Sequence, residues 1–113
     1  MSPSAEYKTY VLDLIEPIIP LTTTRFFGGV GLTYNAVQFG MMIGNNLYFV
    51  VDDTTRNKYL QAGMQAFSYL SKKGRVQVRR YYELPEEILT DAVQLRLWAL
   101  EAINIASQTK KKQ

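Results

Sequence analysis

Residues 25–40 read Arg-Phe-Phe-Gly-Gly-Val-Gly-Leu-Thr-Tyr-Asn-Ala-Val-Gln-Phe-Gly, and the fold depends on how this stretch is parsed. It starts as a strand, breaks at Gly28-Gly29, resumes through Val30, Leu32 and Tyr34, and turns at Asn35-Ala36 into a further strand. Glycine tolerates positive φ and close backbone approach, so paired glycines between strand-like runs predict a bulge or sharp bend. Gly28-Gly29-Val30-Gly31 is not a phosphate loop: the closing Lys-Ser/Thr is missing, and no helix follows to offer its N–H groups.

Downstream, Val37, Phe39, Met41 and Ile43 alternate with Gln38, Gly40, Met42 and Gly44, the pattern of a half-buried strand. Gly44-Asn45-Asn46 is a turn, and Leu47, Phe49 and Val51 alternate again. With Leu21 to Tyr34 as the first strand, three strands form an antiparallel meander. Asp52-Asp53-Thr54 then switches the chain to a short helix holding Tyr59 and Leu60, which Gly63 ends. A second hairpin follows, with Ala66 to Ser71, a turn at Lys72-Lys73-Gly74, and Arg75 to Tyr82.

Helices flank this core. Ser2-Pro3 offers an N-cap and a first-turn proline, Tyr7, Tyr10, Val11, Leu14 and Ile15 make one apolar stripe, and Pro17 ends the helix. At the other end Pro85 opens a short turn to Leu89. Asp91 and Gln94 have capping-box spacing, and Ala92, Leu95, Ala99, Ala102, Ile103 and Ala106 form the last stripe. The order predicted is α-βββ-α-ββ-α: an α+β, two-layer sandwich with a five-stranded antiparallel sheet and helices on one face. Residues 1–107 make one domain, and 108–113 a basic disordered tail.

Composition narrows the chemistry. The chain has 113 residues, enough for one core, with a net charge of +3. Lys110, Lys111 and Lys112 supply all of that excess, so the body is neutral. There is no histidine and no cysteine. That removes Ser-His-Asp and Cys-His catalysis and the usual zinc sites. No apolar run is long enough to span a bilayer and no signal pattern opens the chain, so the expected location is cytoplasmic, with no membrane partner. No cofactor, metal or catalytic group is expected.

Three features are weighed as sites. Asp52-Asp53 and Glu86-Glu87 are carboxylate pairs, but both stand where helices begin and are read as dipole partners. Lys72, Lys73, Arg75, Arg79 and Arg80 place five basic residues on one hairpin near Tyr69, Tyr81 and Tyr82, a candidate nucleic-acid patch. The alternative is a solvated hairpin whose charges discourage edge pairing. Finally, Gln38, Gly40, Met42, Tyr48 and Val50 are expected on the sheet face turned from the helices. Gln38, Met42, Tyr48 and Val50 are then a candidate interface for a homodimer or partner.

The ordered set Arg25, Phe27, Gly28, Gly29, Gly31, Leu32, Phe39, Gly40, Leu47, Tyr48, Gly63, Phe67, Tyr69, Tyr81, Tyr82 and Pro85 resembles the N-terminal domain of TfoX/Sxy proteins, bacterial regulators of natural competence. The resemblance runs from Glu6 to Ala106. Phe26 stands where the family usually has methionine, and Val51 where a basic residue is usual. The separate C-terminal domain of full-length regulators has no counterpart in these residues. The resemblance implies a two-layer fold with a five-stranded sheet. It also implies a non-enzymatic role in transcriptional control of DNA uptake, with the cyclic-AMP receptor protein as partner. Within it Arg25, Phe27, Gly28, Gly29, Gly31, Gly40 and Gly63 are read as a structural motif. Three functions therefore stand side by side: a regulatory module acting through protein contacts, direct nucleic-acid binding by the 72–80 hairpin, and a small enzyme with no identifiable catalytic group.

Overall fold

Tight turns build most of the sheet. In the computed structural model, which describes residues 2–111, the elements are α1 (Ala5–Ile15), β1 (Thr22–Phe26), β2 (Gly29–Tyr34), β3 (Val37–Ile43), β4 (Asn46–Val50), α2 (Arg56–Gln61), β5 (Ala66–Ser71), β6 (Gly74–Glu83), α3 (Glu86–Leu89) and α4 (Ala92–Lys111). The class is α+β, as expected. The described strands form one six-stranded antiparallel sheet in the order β1-β2-β3-β4-β6-β5.

The sixth strand comes from the opening stretch. Phe27 (φ 53°) and Gly28 (φ 73°) both lie in the left-handed region, and Phe26 pairs with Gly29. Two successive positive-φ residues between paired strands are the turn of a two-residue hairpin. The predicted bulge is therefore a reversal, and one expected strand is two. Gly29 then serves close packing: a Cβ there would lie 2.2 Å from the Met42 carbonyl oxygen.

A bulge does occur, one strand later. Leu32 pairs with Gly40 and Thr33 with Gln38, leaving Phe39 as the extra residue. One extra residue reverses the alternation beyond it. Met42 consequently pairs with Leu47 and Gly40 with Phe49, while Met41 pairs with Tyr48. Directly opposed residues share a face. Met41 and Ile43 thus lie with Tyr48 and Val50, and Met42 lies with Leu47 and Phe49. The expected division of these residues between the two faces is wrong at Gly40, Met41, Met42 and Ile43.

The helices cover the Phe49 face. α4 packs against β3 and β4, and α1 and α3 pack against α4. Tyr59 of α2 meets Trp98 of α4 with ring centroids 4.8 Å apart, and Tyr82 of β6 at 6.3 Å. Tyr59 is buried and its hydroxyl has no hydrogen-bond partner. Burial pushes its ionisation far upward. Lys58 forms a clamp beside it, with Nζ 2.8 Å from Glu101 Oε1 and 4.2 Å from the centre of the Trp98 ring.

Helix ends follow local chemistry. Ser4, rather than Ser2, caps α1 by accepting from the Tyr7 N–H, so Pro3 precedes the cap. Asp52 Oδ1 accepts from the N–H groups of Thr54 and Thr55. These bonds hold the Asp52 carboxyl below its usual range. Asp91 Oδ1 accepts from Val93 and Gln94, the expected cap of α4. At Gly63 (φ 81°) the bonds Gly63 N–H to Leu60 and Met64 N–H to Tyr59 end α2. The last helix continues to Lys111, so residues 108–111 of the expected disordered tail are helical. Residues 112 and 113 of that tail lie outside the described residues. No described helix is long and apolar enough to cross a membrane.

Candidate contact surface

Strands lie about 4.8 Å apart, so in a flat sheet β1 and β6 would be separated by about 19 Å and β1 and β5 by about 24 Å. The rings of Phe26 and Tyr81 are nevertheless 6.4 Å apart. Phe27, in the β1–β2 turn, lies 6.4 Å from Phe67 and 6.0 Å from Tyr69 on β5. The sheet therefore curls, bringing its first and last strands together across one face. Phe67 also meets Tyr48 edge-on at 5.4 Å. This aromatic run closes the face that carries no helix.

That closure decides the predicted interface. Val50 is 1% exposed and Tyr48 9%, while Met42, on the helix face, is fully buried. Gln38 is half-buried and donates through Nε2 to the Tyr81 hydroxyl at 3.1 Å. Met42, Tyr48 and Val50 belong to the chain's own interior, and of the four only Gln38 keeps part of its surface exposed. Their neighbours titrate accordingly. Burial, then the Glu83 carboxylate, pushes the Tyr48 phenol upward, and burial raises Glu83 itself.

The predicted basic patch is only partly assembled. Lys72 and Lys73 stand exposed at the β5–β6 turn, which the Ser71 hydroxyl braces by donating to the Gly74 carbonyl. Arg75 donates to the Ser68 hydroxyl at 2.9 Å. Arg80 turns toward α4 and donates to Thr109 Oγ1 at 3.1 Å. Arg79 is exposed, and its carbonyl accepts twice from Arg56, whose guanidinium also pairs with Asp53 at 2.7 Å. Arg80 lies six residues along β6 from Gly74, about 20 Å from the turn that carries Lys72 and Lys73. Lys72, Lys73 and Arg75 remain together; Arg80 does not join them. The carboxylate pairs have structural partners, since Asp52 caps, Asp53 binds Arg56, and Glu86 accepts from the Tyr10 hydroxyl.

Most of the motif residues lie on β1, β2, β3 and the turn between the first two. Gly28 makes the first turn, Gly29, Gly31 and Gly40 sit where neighbouring strands or side chains leave no room for a Cβ, and Gly63 ends α2. Arg25 is exposed on β1. Phe27 breaks the pattern. It is 66% exposed, although a bulky residue at positive φ is strained.

What remains open is the β5 edge. β5 ends the sheet, so one side of its backbone has no strand partner. Leu70 is 74% exposed and Tyr69 40%. Phe27, Ile43, Phe67, Ser68 and Tyr69 enclose a hollow of about 320 Å³ beside it. Apolar and aromatic groups thus border an unpaired strand edge, with Lys72, Lys73 and Arg75 at its far end. From residue 17 to residue 82 the only carboxylates are Asp52 and Asp53, so β5 and the turn after it carry no acidic side chain. Sequence alternation alone did not single out Leu70 or Phe27. The signal was available in the run Tyr69-Leu70, two consecutive apolar residues on a strand beside a lysine turn.

A protein-family model described as the TfoX N-terminal domain matches residues 13–106. Comparison with curated proteins finds no match.

Proposed function

The chain belongs to the TfoX N-terminal domain family, and from that premise we propose that it is a non-enzymatic regulatory module that acts by docking a protein on the β5 edge. The observation that supports this is the exposed Phe27, Tyr69 and Leu70 beside an unpaired strand. Solvated strand edges of this kind are normally blunted by charge or covered. Here the lysines stand at the turn and leave the apolar stretch open. A partner strand added to β5 would satisfy its free backbone groups, and its side chains would enter the aromatic hollow. By resemblance to the family, transcriptional control of DNA uptake, with the cyclic-AMP receptor protein as partner, is the setting to test first.

The test is capture of partners by tagged protein from a bacterial lysate, with and without nuclease, using the parent chain and Leu70→Glu. Nuclease-resistant capture lost in Leu70→Glu supports protein docking. Capture that survives Leu70→Glu places the contact elsewhere. Light scattering on the purified chain separates a second copy from a foreign partner at the same edge.

A second reading has its own observation. Lys72 and Lys73 stand exposed at the turn of the hairpin whose β5 strand carries the exposed Tyr69, which offers phosphate neutralisation and stacking on one element, as a single strand of nucleic acid uses. Salt-sensitive retention of single-stranded DNA or RNA, weakened by Lys72→Ala with Lys73→Ala and by Tyr69→Ala, would favour it.

A further inference from the structure

At the other edge of the sheet, α1 and β1 enclose an open cleft of about 760 Å³. Ser2, Pro3 and Lys8 form one wall, and the chain from Thr23 to Val30 forms the other. Its chemistry is one-sided. Lys8 is half-buried and Arg25 exposed, and neither side chain has a hydrogen-bond or ion-pair partner among the described residues. No carboxylate lines the cleft. Two unpaired cationic side chains beside a cleft without a carboxylate make a positive site that attracts an anion.

The backbone adds donors. Phe26 and Gly29 flank the two-residue turn, and in such hairpins this pair exchanges both ladder hydrogen bonds. Alternation then turns the N–H groups of Thr23 and Arg25 to the outer edge of β1. That edge has no strand neighbour, because β1 begins the sheet. The two N–H groups are about 6.6 Å apart along the strand. Beside them stand a guanidinium fork, an ammonium and the hydroxyl of Thr23.

We propose that this cleft binds the phosphate of a small phosphorylated molecule, with Arg25 holding two oxygens and Lys8 a third. A carboxylate has two oxygens and would leave part of this donor set unused. A terminal phosphate has three, and the Arg fork matches two of them. The cleft is many times the roughly 30 Å³ that a water molecule occupies. It therefore has room for an organic group of the size of a sugar or nucleoside. Phe27 lines both this cleft and the hollow beside β5, so an effector bound here would lie next to the docking strand.

The test is amide and side-chain NMR of the ¹⁵N-labelled chain, titrated at constant ionic strength with adenosine monophosphate, glucose 6-phosphate, inorganic phosphate, adenosine and a single-stranded oligonucleotide without terminal phosphates. Saturable shifts at Thr23, Arg25 and Lys8 are expected with the two phosphate monoesters and not with adenosine. Lys8→Gln with Arg25→Gln should weaken monoester binding at least about tenfold, corresponding to the loss of one or more charge-assisted contacts. Lys8→Arg, which keeps the charge, should retain binding and serves if the double variant folds poorly. The proposal is overturned if neither monoester gives saturable shifts or if the double variant binds as the parent does. Tighter binding of the oligonucleotide at the same amides also overturns it, because the phosphate would then belong to a strand.

Discussion

The two faces of the sheet are buried by different means. On the Phe49 face, α4 and α2 supply the covering layer, as amphipathic helices do in any α+β domain. On the Val50 face no helix is needed, because the curled sheet brings β1 and its turn against β6 and β5. The first face is covered by elements distant from the turns, and the second by the turns themselves. Burial on the second face is thus tied to strand geometry. The exposed aromatic fringe at Phe27 and Tyr69 is where that self-covering runs out.

The largest effect should follow from charging the curled face. Val50 is 1% exposed and paired with Tyr81. Val50→Glu would bury an unpaired carboxylate, enough to cost most of the stability of a small domain. Circular dichroism should show loss of the cooperative melt. A soluble variant melting like the parent would mean that this face is open, and the comparison would fail.

Next comes Gly29→Ala. Its Cβ would stand 2.2 Å from the Met42 carbonyl oxygen and 2.7 Å from Ile43 Cδ1. A backbone oxygen cannot move aside as a side chain can, so β2 and β3 must part. Chemical denaturation should report a loss of roughly 3 kcal/mol. A loss below about 0.5 kcal/mol, the range of ordinary surface changes, would show that the strands are not so closely apposed.

These two substitutions bear on what the sequence made legible. The turn at Lys72-Lys73, the caps at Asp52 and Asp91 and the stop at Gly63 each rest on local chemistry, and each was readable. The turn at Phe27-Gly28 was not, because phenylalanine is not a residue that composition marks for positive φ. Nor was the bulge at Phe39. Met41 and Met42 are both apolar, so the alternation carries no phase once one residue is inserted, and Gln38, Met42, Tyr48 and Val50 were placed on one exposed face. The curl joins residues 40 to 55 positions apart, and no local pattern encodes it. The basic hairpin was legible as a cluster in sequence, but Arg80 leaves it for Thr109. Arg56, three residues after Asp53, could have been found from helical spacing. The hollow between Phe27 and Tyr69 required the fold.

On the helix face, Tyr59→Phe should be stabilising. The buried Tyr59 hydroxyl has no hydrogen-bond partner, and removing such a group recovers about 1 kcal/mol of desolvation cost. A destabilised variant in thermal melts would reveal a bond that the hydroxyl makes in solution.

The smallest effect concerns Glu83, which pairs with Tyr48 on the curled face. Burial raises its folded-state pKa above 4.5. The folded chain therefore binds this proton more tightly than the unfolded one, and ionisation of Glu83 opposes folding as pH rises through the folded value. Below pH 4.5 the penalty is absent. Glu83→Gln should thus gain slightly over the parent at neutral pH, with the difference closing toward pH 4. A difference constant over that range would remove the burial argument.

The claim that the β5 edge is the docking surface is tested most directly by placing a photo-reactive phenylalanine analogue at Leu70 and, as a control, at Val93, which is 69% exposed on α4. Irradiation in bacterial cells should give one or a few discrete protein adducts from position 70 and none of the same mass from position 93. Adducts that are alike from both positions, or absent from position 70, would contradict docking at this edge.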